Sequence, residues 1–244
     1  MAGVEKEKLS SDFELFTVGG GLYLRCLRLP MTHAFGSDSG IFDASKLTML
    51  RQVHGTEIYG ASANDTGHVY EGYDALITSD PAAVIACRTA DCVPILMADA
   101  KTGVCAAVHA GWKGTKAGIA PKVFRRLLSM GCKADDVVIA IGPCARYESY
   151  EVGDDLYSAF AEALGRDISD RHIRLHPSGR LHADIAGVDK ELLTLAGAKR
   201  ENIFDCGLDT ITDSRFRSYR REGKREPMLS AVTPGEKLPY DACG

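Results

Sequence analysis

Apolar residues occur along this chain in two rhythms. Unbroken runs at 84–86, 93–98 and 104–108 read as strands buried on both faces, and Ala100-Lys101-Thr102-Gly103 is a turn joining the second strand to the third. Further strands are expected at 22–29, 74–78, 137–141 and 203–204, while 47–59 passes through a loop that carries His54. The second rhythm is helical. Ile119, Val123, Leu127 and Met130 recur at helical spacing, with Lys122, Arg125 and Arg126 on the wet face and Thr115 placed as the N-cap. Residues 154–164 form a short amphipathic helix. Another starts at Asp184, with Ile185, Val188, Leu192 and Leu195 as its buried stripe and Gly197 as its stop. Strands outnumber helices without strict β-α-β alternation, which predicts an α+β domain with a mixed sheet. No repeat or linker divides the chain, so 1–244 reads as one domain with loose ends at 1–12 and 235–244.

Polar residues interrupt the apolar strands at three places. Arg88-Thr89-Ala90-Asp91-Cys92-Val93-Pro94 and Val108-His109-Ala110-Gly111-Trp112-Lys113-Gly114-Thr115 put a cysteine and a histidine at two strand ends, and Arg51-Gln52-Val53-His54-Gly55 adds a second histidine beside a glycine. Each has an ordinary explanation, since cysteine is often a small buried hydrophobe and a histidine at a strand end is usually just hydrogen-bonded. Their shared context favours function. A thiolate with two imidazoles suits zinc, and three protein ligands leave a fourth position open for chemistry. Lys113 beside Gly114-Thr115 at a helix start is a candidate phosphate site, with a simple N-cap as its bland counterpart. In 214–223 several arginines surround two aromatics; read as a strand, Arg215, Arg217, Tyr219 and Arg221 share one face and Phe216, Ser218 and Arg220 the other. A buried arginine there needs an anion, either a carboxylate of the protein or a phosphate of a substrate. His172-Ile173-Arg174-Leu175-His176 alternates like a half-exposed strand with water-facing histidines, not a metal pair.

Composition narrows the partner class. The 244 residues are 45% hydrophobic and 25% charged with a net charge of −4, the balance of a globular protein with no electrostatic draw to nucleic acid or an anionic membrane. A small molecule is the expected partner. No export signal is read at 1–12 and no apolar run is long enough to span a bilayer, so the 8 cysteines are expected to be reduced thiols in the cytoplasm.

Taken together, Gln52-Val53-His54-Gly55, Asp74-Ala75-Leu76-Ile77-Thr78, Thr89 to Pro94, His109 to Gly114, Ile141-Gly142-Pro143-Cys144 and Ser218-Tyr219-Arg220-Arg221 resemble, in order, the blocks of the family called YfiH or YlmD in bacteria and FAMIN in animals. Its members were once labelled multicopper polyphenol oxidases or laccase-domain proteins. The resemblance implies a layered α/β/β/α fold with mixed β-sheets, akin to that of CNF-type toxin deamidases. It makes His54, Cys92 and His109 ligands of a zinc ion. It also implies phosphorolysis of adenosine, inosine, guanosine and methylthioadenosine, and deamination of adenosine by a water whose pKa the zinc lowers. Asp91 or another nearby acid is the expected proton shuttle, and Arg88, Lys113, Arg217 and Arg220 are the candidates for substrate and phosphate. Two features depart from the family pattern. His33-Ala34-Phe35-Gly36 leads into Ser37-Asp38-Ser39-Gly40 without the usual Arg-x-Gly-Gly turn, and only residues 41–50 stand where a longer, helical stretch normally precedes the Gln-Val-His-Gly block.

Three rivals remain. Cys92 with His109 as its base would make a metal-free cysteine hydrolase, which fits members described as peptidoglycan-editing factors. A structural zinc closed by Cys144 as a fourth ligand would make a binding module. The copper-oxidase label is disfavoured, because multicopper sites need many histidines in His-x-His pairs and this chain has 7 histidines and none so paired.

Overall fold

The computed structural model describes residues 6–18, 20–224 and 226–240. Two six-stranded sheets stack face to face. The first runs Lys6–Lys8, Phe13–Val18, Gly21–Cys26, Thr32–Gly36, Met228–Thr233, Ile85–Thr89, antiparallel throughout. In the second the order is Ile203–Asp205, Val138–Ile141, Val93–Asp99, Val104–Ala110, Ala75–Thr78, Ile58–Gly60, antiparallel in the middle and parallel at both edges. The mixed α+β class is therefore as the sequence predicts.

Strands 93–99 and 104–110 lie buried along their whole length, which is why they read as unbroken apolar runs. Leu96, Ala98, Cys105 and Ala107 face the first sheet, where they meet Leu24, Phe35, Ile85 and Val232. Val93, Ile95, Met97, Val104, Ala106 and Val108 face the other way, against helices Ile119–Ser129 and Ile185–Leu195. The outer face of the first sheet is closed differently. Phe42, Leu47, Leu238 and Tyr240 cover it, with Tyr240 packed edge-on against Tyr23 at 4.8 Å and stacked on Phe42 at 5.7 Å. The one helical turn in that covering segment is the 3-10 turn Ala44–Lys46, so the short stretch 41–50 supplies an extended cover in place of a second helical layer. Loose ends are not what residues 6–12 and 235–240 show, since Lys6–Lys8 pairs with the next strand and Leu238 is buried; 1–5 and 241–244 lie outside the described residues.

Four local expectations are corrected. Thr115 is no N-cap: it is buried inside the short helix Trp112–Lys116, and helix Ile119–Ser129 begins instead at Gly118, whose φ of 79° suits glycine. Leu195 is 69% exposed; residues two apart on a helix point about 160° apart, so Leu193 facing inward turns Leu195 out. His172 ends helix Arg166–His172 and bonds Glu191 at 2.7 Å, while His176 stacks on His182 at 4.1 Å, so neither is simply water-facing. Residues 214–223 are not a strand but a turn followed by helix Tyr219–Glu222, with Phe216 buried. Among the described residues no helix is long and apolar enough to cross a membrane.

Phe35 sits between the sheets, fully buried, with its ring so close to Gly142 that a Cβ there would lie 2.2 Å from it. Phe35→Ala is expected to cost about 3–5 kcal/mol of stability, read as a lowered midpoint in urea unfolding.

Candidate active site

A link of three residues, Ala90-Asp91-Cys92, carries the chain from strand Ile85–Thr89 of one sheet to strand Val93–Asp99 of the other. So abrupt a crossing needs an unusual backbone, and Asp91 takes a φ of 81°. Its own groups hold it there. The carboxylate accepts from the Thr210 hydroxyl at 2.6 Å and from the Arg220 N–H at 2.7 Å, and its carbonyl accepts from Ala145 N–H at 2.9 Å. On the neighbouring strand Pro94 faces His109 and Val93 faces Ala110, so the register brings Cys92 beside Gly111.

The third element arrives through Asp74, which precedes strand Ala75–Thr78. Its carboxylate is 0% exposed and accepts four bonds, from Val53 N–H (3.3 Å), His54 N–H (2.9 Å), Gly55 N–H (2.7 Å) and His109 Nδ1 (2.8 Å). A carboxylate is tolerated in such burial only when its oxygens are fully occupied. Burial raises its pKa, but the bond and charge of His109 and the Gly55 and Val53 N–H donors outweigh that and leave it lowered. The bond to Nδ1 turns His109 Nε2 towards Cys92, and the three N–H bonds hold the loop in which His54 adopts a φ of 62°. Gly111 leaves the room: a Cβ there would come within 2.5 Å of His54 Cδ2 and 3.1 Å of Cys92 Sγ.

His54, Cys92 and His109 thus converge, with one ligand atom from each lying within 4.8 Å of the others. Cys92 Sγ is 3.8 Å from His54 Nε2, and the imidazoles meet edge-on at 4.8 Å. This group can hold a metal ion. Burial pushes the Cys92 thiol up, but the charges and hydrogen bonds of His109 and His54 prevail and bring it down to about 6. His109 moves the other way, to about 9, because Cys92 and Asp74 outweigh its burial. The group opens onto a cleft of about 700 Å³ lined also by Gln52, Arg88, Thr89 and Tyr219, within the roughly 300–1,000 Å³ typical of small-molecule sites. Larger hollows of about 900 and 750 Å³ lie elsewhere and contain none of the three residues.

The other expected residues scatter. Arg88 lines the cleft, and among the described residues nothing pairs with its guanidinium; its backbone is held by the Gln52 amide through bonds of 2.6 and 3.0 Å. Lys113 lies over Trp112 at 5.4 Å and outside the cleft lining. Arg217 is taken up by Asp38 at 2.8 Å and by Glu222 and Glu226, so its anion is protein carboxylate. Arg220 reaches the Glu151 carbonyl at 2.9 Å and lies over Tyr150. Asp91, the expected proton shuttle, has one oxygen on the Thr210 hydroxyl and the other on the Arg220 N–H, and so fastens the 210–220 segment to the turn before Cys92. Cys144 is buried and, among the described residues, does not join the metal-competent group, so it does not close the coordination as a fourth ligand. Thr115, read as a phosphate-binding helix start, instead donates to the buried Asp189 at 3.0 Å. Asp74, Thr89 and Tyr219 were legible only as members of sequence blocks. For Asp74 the available signal was an acid heading an otherwise apolar strand.

The sequence profile described as multi-copper polyphenol oxidoreductase laccase matches residues 35–233. The chain belongs to this family. Relatives within reach of direct comparison include a purine nucleoside phosphorylase of Deinococcus radiodurans, 36% identical over 192 residues covering 78% of this chain and 71% of that protein. One from Bacteroides thetaiotaomicron, also named purine nucleoside phosphorylase, is 39% identical over 73% of this chain and 67% of its own length. A protein from an unknown prokaryote named adenosine deaminase RL5 is 32% identical over 74% and 72%. The family's fold is shared with YlmD of Geobacillus stearothermophilus, with a TM-score of 0.77 at 21% identity over 88% of this chain and 96% of that one. Bacillus licheniformis YfiH gives 0.74 at 21% identity over 91% and 92%. The YfiH resemblance is thereby established.

Two outcomes are expected from this geometry. Asp74→Asn should weaken metal binding by roughly 10- to 100-fold in a competition titration, because a carboxylate that orients a ligating histidine typically carries that much affinity. In metal-free protein, alkylation of Cys92 should rise through about pH 6, well below an ordinary thiol, and vanish in Cys92→Ser.

Proposed function

We propose that the chain is a zinc-dependent purine nucleoside phosphorylase acting on adenosine, inosine, guanosine and methylthioadenosine, with adenosine deaminase activity at the same site. The observation that carries this is the convergence of His54, Cys92 and His109 in the lining of a cleft that also presents Arg88, unpaired among the described residues. The names of the 36% and 39% identical relatives support phosphorolysis, and that of the 32% identical one supports deamination. Zinc fits the donor set. One soft thiolate with two imidazoles is a zinc-type combination, and the positive φ of His54 together with the space kept by Gly111 bring the second imidazole to the thiol. A cysteine–histidine pair alone would not need that second ring. Bound there, zinc supplies the Lewis acidity that lowers the pKa of a water.

The chain's own residues supply positioning and charge. In phosphorolysis a phosphate oxygen forms a bond to the anomeric carbon while the bond to the purine nitrogen breaks and its electron pair leaves with the base. Arg88, its backbone held by the Gln52 amide and its guanidinium free of a carboxylate among the described residues, offers a bidentate donor to the phosphate. Asp74 keeps the proton on His109 Nδ1 and so keeps Nε2 for the ligand position. The cytoplasm is the proposed compartment, in keeping with cysteines that are all unpaired among the described residues. Polyphenol oxidation lacks support from the side chains, since the described residues assemble a single metal-competent group and a multicopper centre needs several.

One observation favours a second reading. The opposed shifts of Cys92 and His109 describe a thiolate–imidazolium pair, the state a cysteine hydrolase of peptidoglycan precursors would use.

Incubation of the metal-replete protein and Cys92→Ala with adenosine, with and without phosphate, separates the two. Phosphate-dependent adenine and phosphate-independent inosine, both lost in the variant and on chelation, are the expected products. Absence of turnover by the wild type, or activity that survives chelation but not thiol alkylation, would turn the assignment to the hydrolase.

A further inference from the structure

The cleft onto which the metal-competent group opens is also lined by an aromatic residue left half-exposed to solvent. Tyr219 lines the cleft and is 49% exposed, and among the described residues its hydroxyl has no hydrogen-bond partner and its ring no aromatic neighbour. Its surroundings are fastened on every side. Ser218 caps the helix by accepting from Arg221 N–H at 3.1 Å, and the Arg220 N–H is bonded to Asp91. The Arg221 guanidinium donates to the carbonyls of Thr210 and Phe216, both at 2.6 Å, and Phe216 is buried beneath. The backbone on both sides of Tyr219 is therefore rigid while the ring is left to the cleft. Because Asp91 directly precedes Cys92, the same carboxylate that shapes the turn into the thiol also anchors the helix that carries the ring. A second orphan lines the same cleft: Thr89 is 2% exposed, and its hydroxyl lacks a partner among the described residues. A buried hydroxyl without a partner is costly unless a ligand or water meets it.

We infer that Tyr219 is the platform on which the heterocyclic base of the substrate stacks, and so a specificity-determining residue for planar aromatic bases; this rests on the nucleoside reading above. The chemistry is suited to it. A preordered aromatic face presents a π surface to any planar base at small conformational cost, whereas Arg88 and the metal group serve phosphate and the reacting centre. Exposed Val53, beside His54, adds apolar surface on the adjoining loop.

The test is steady-state phosphorolysis by metal-replete wild type, Tyr219→Ala and Tyr219→Phe, with zinc content measured in each. Tyr219→Ala is expected to raise KM for the nucleoside roughly 10- to 100-fold, the loss typical of a base–aromatic stack. Its kcat, its KM for phosphate and its zinc content should stay at wild-type values, and Tyr219→Phe should restore the nucleoside KM. An unchanged nucleoside KM in Tyr219→Ala overturns the platform and leaves the nucleoside function standing. A parallel rise in both KM values with loss of zinc also overturns it, by making Tyr219 a support of the site. Absence of nucleoside turnover by the wild type removes the functional reading and the platform with it.

Discussion

Everything at the site depends on one buried carboxylate. Asp74 gathers three consecutive backbone N–H groups of the 53–55 loop and the Nδ1 of His109, and so joins two segments far apart in sequence. Its bonds hold the loop in which His54 takes a left-handed conformation, and its bond to Nδ1 sets which nitrogen of the His109 ring carries the proton. An ionised carboxylate away from water is costly by itself, so the arrangement persists only because both oxygens are saturated. The same bonds that make Asp74 tolerable define where the two imidazoles point.

The second constraint is topological. The chain leaves one sheet and enters the other within Ala90-Asp91-Cys92, and the cleft lies where those sheet ends meet. A link that short leaves Cys92 little freedom, and Asp91 removes the rest by binding Thr210 and the helix start at Arg220. The three residues able to hold a metal therefore come from a loop, a crossing and a strand end, each braced by a buried framework of double-faced strands. That is the preorganisation a reactive centre requires: geometry fixed before any ligand arrives.

Much of this was legible along the chain because burial leaves a periodic trace. The central strands announced themselves as unbroken apolar runs, and the polar interruptions at His54, Cys92 and His109 marked the residues that converge. What stayed hidden depends on partners distant in sequence. Asp74 looked like the first residue of a strand because nothing local reveals four donors arriving from elsewhere. Along the chain Arg217 reads as a phosphate ligand, whereas its guanidinium bonds Asp38, 179 positions away. Thr115 obeyed a local capping rule that its buried bond to Asp189 overrides. Residues 214–223 read as a strand because alternation of type does not distinguish a strand from a turn pinned by arginine–carbonyl bonds.

The central claim is that a single zinc ion is held by His54, Cys92 and His109 with one position left open. X-ray absorption at the zinc edge on the purified holoprotein tests it directly. One zinc per chain is expected, with one sulfur, two imidazoles and one exchangeable light-atom donor, the sulfur disappearing in Cys92→Ser. A second sulfur, or a zinc environment indifferent to Cys92, would contradict it.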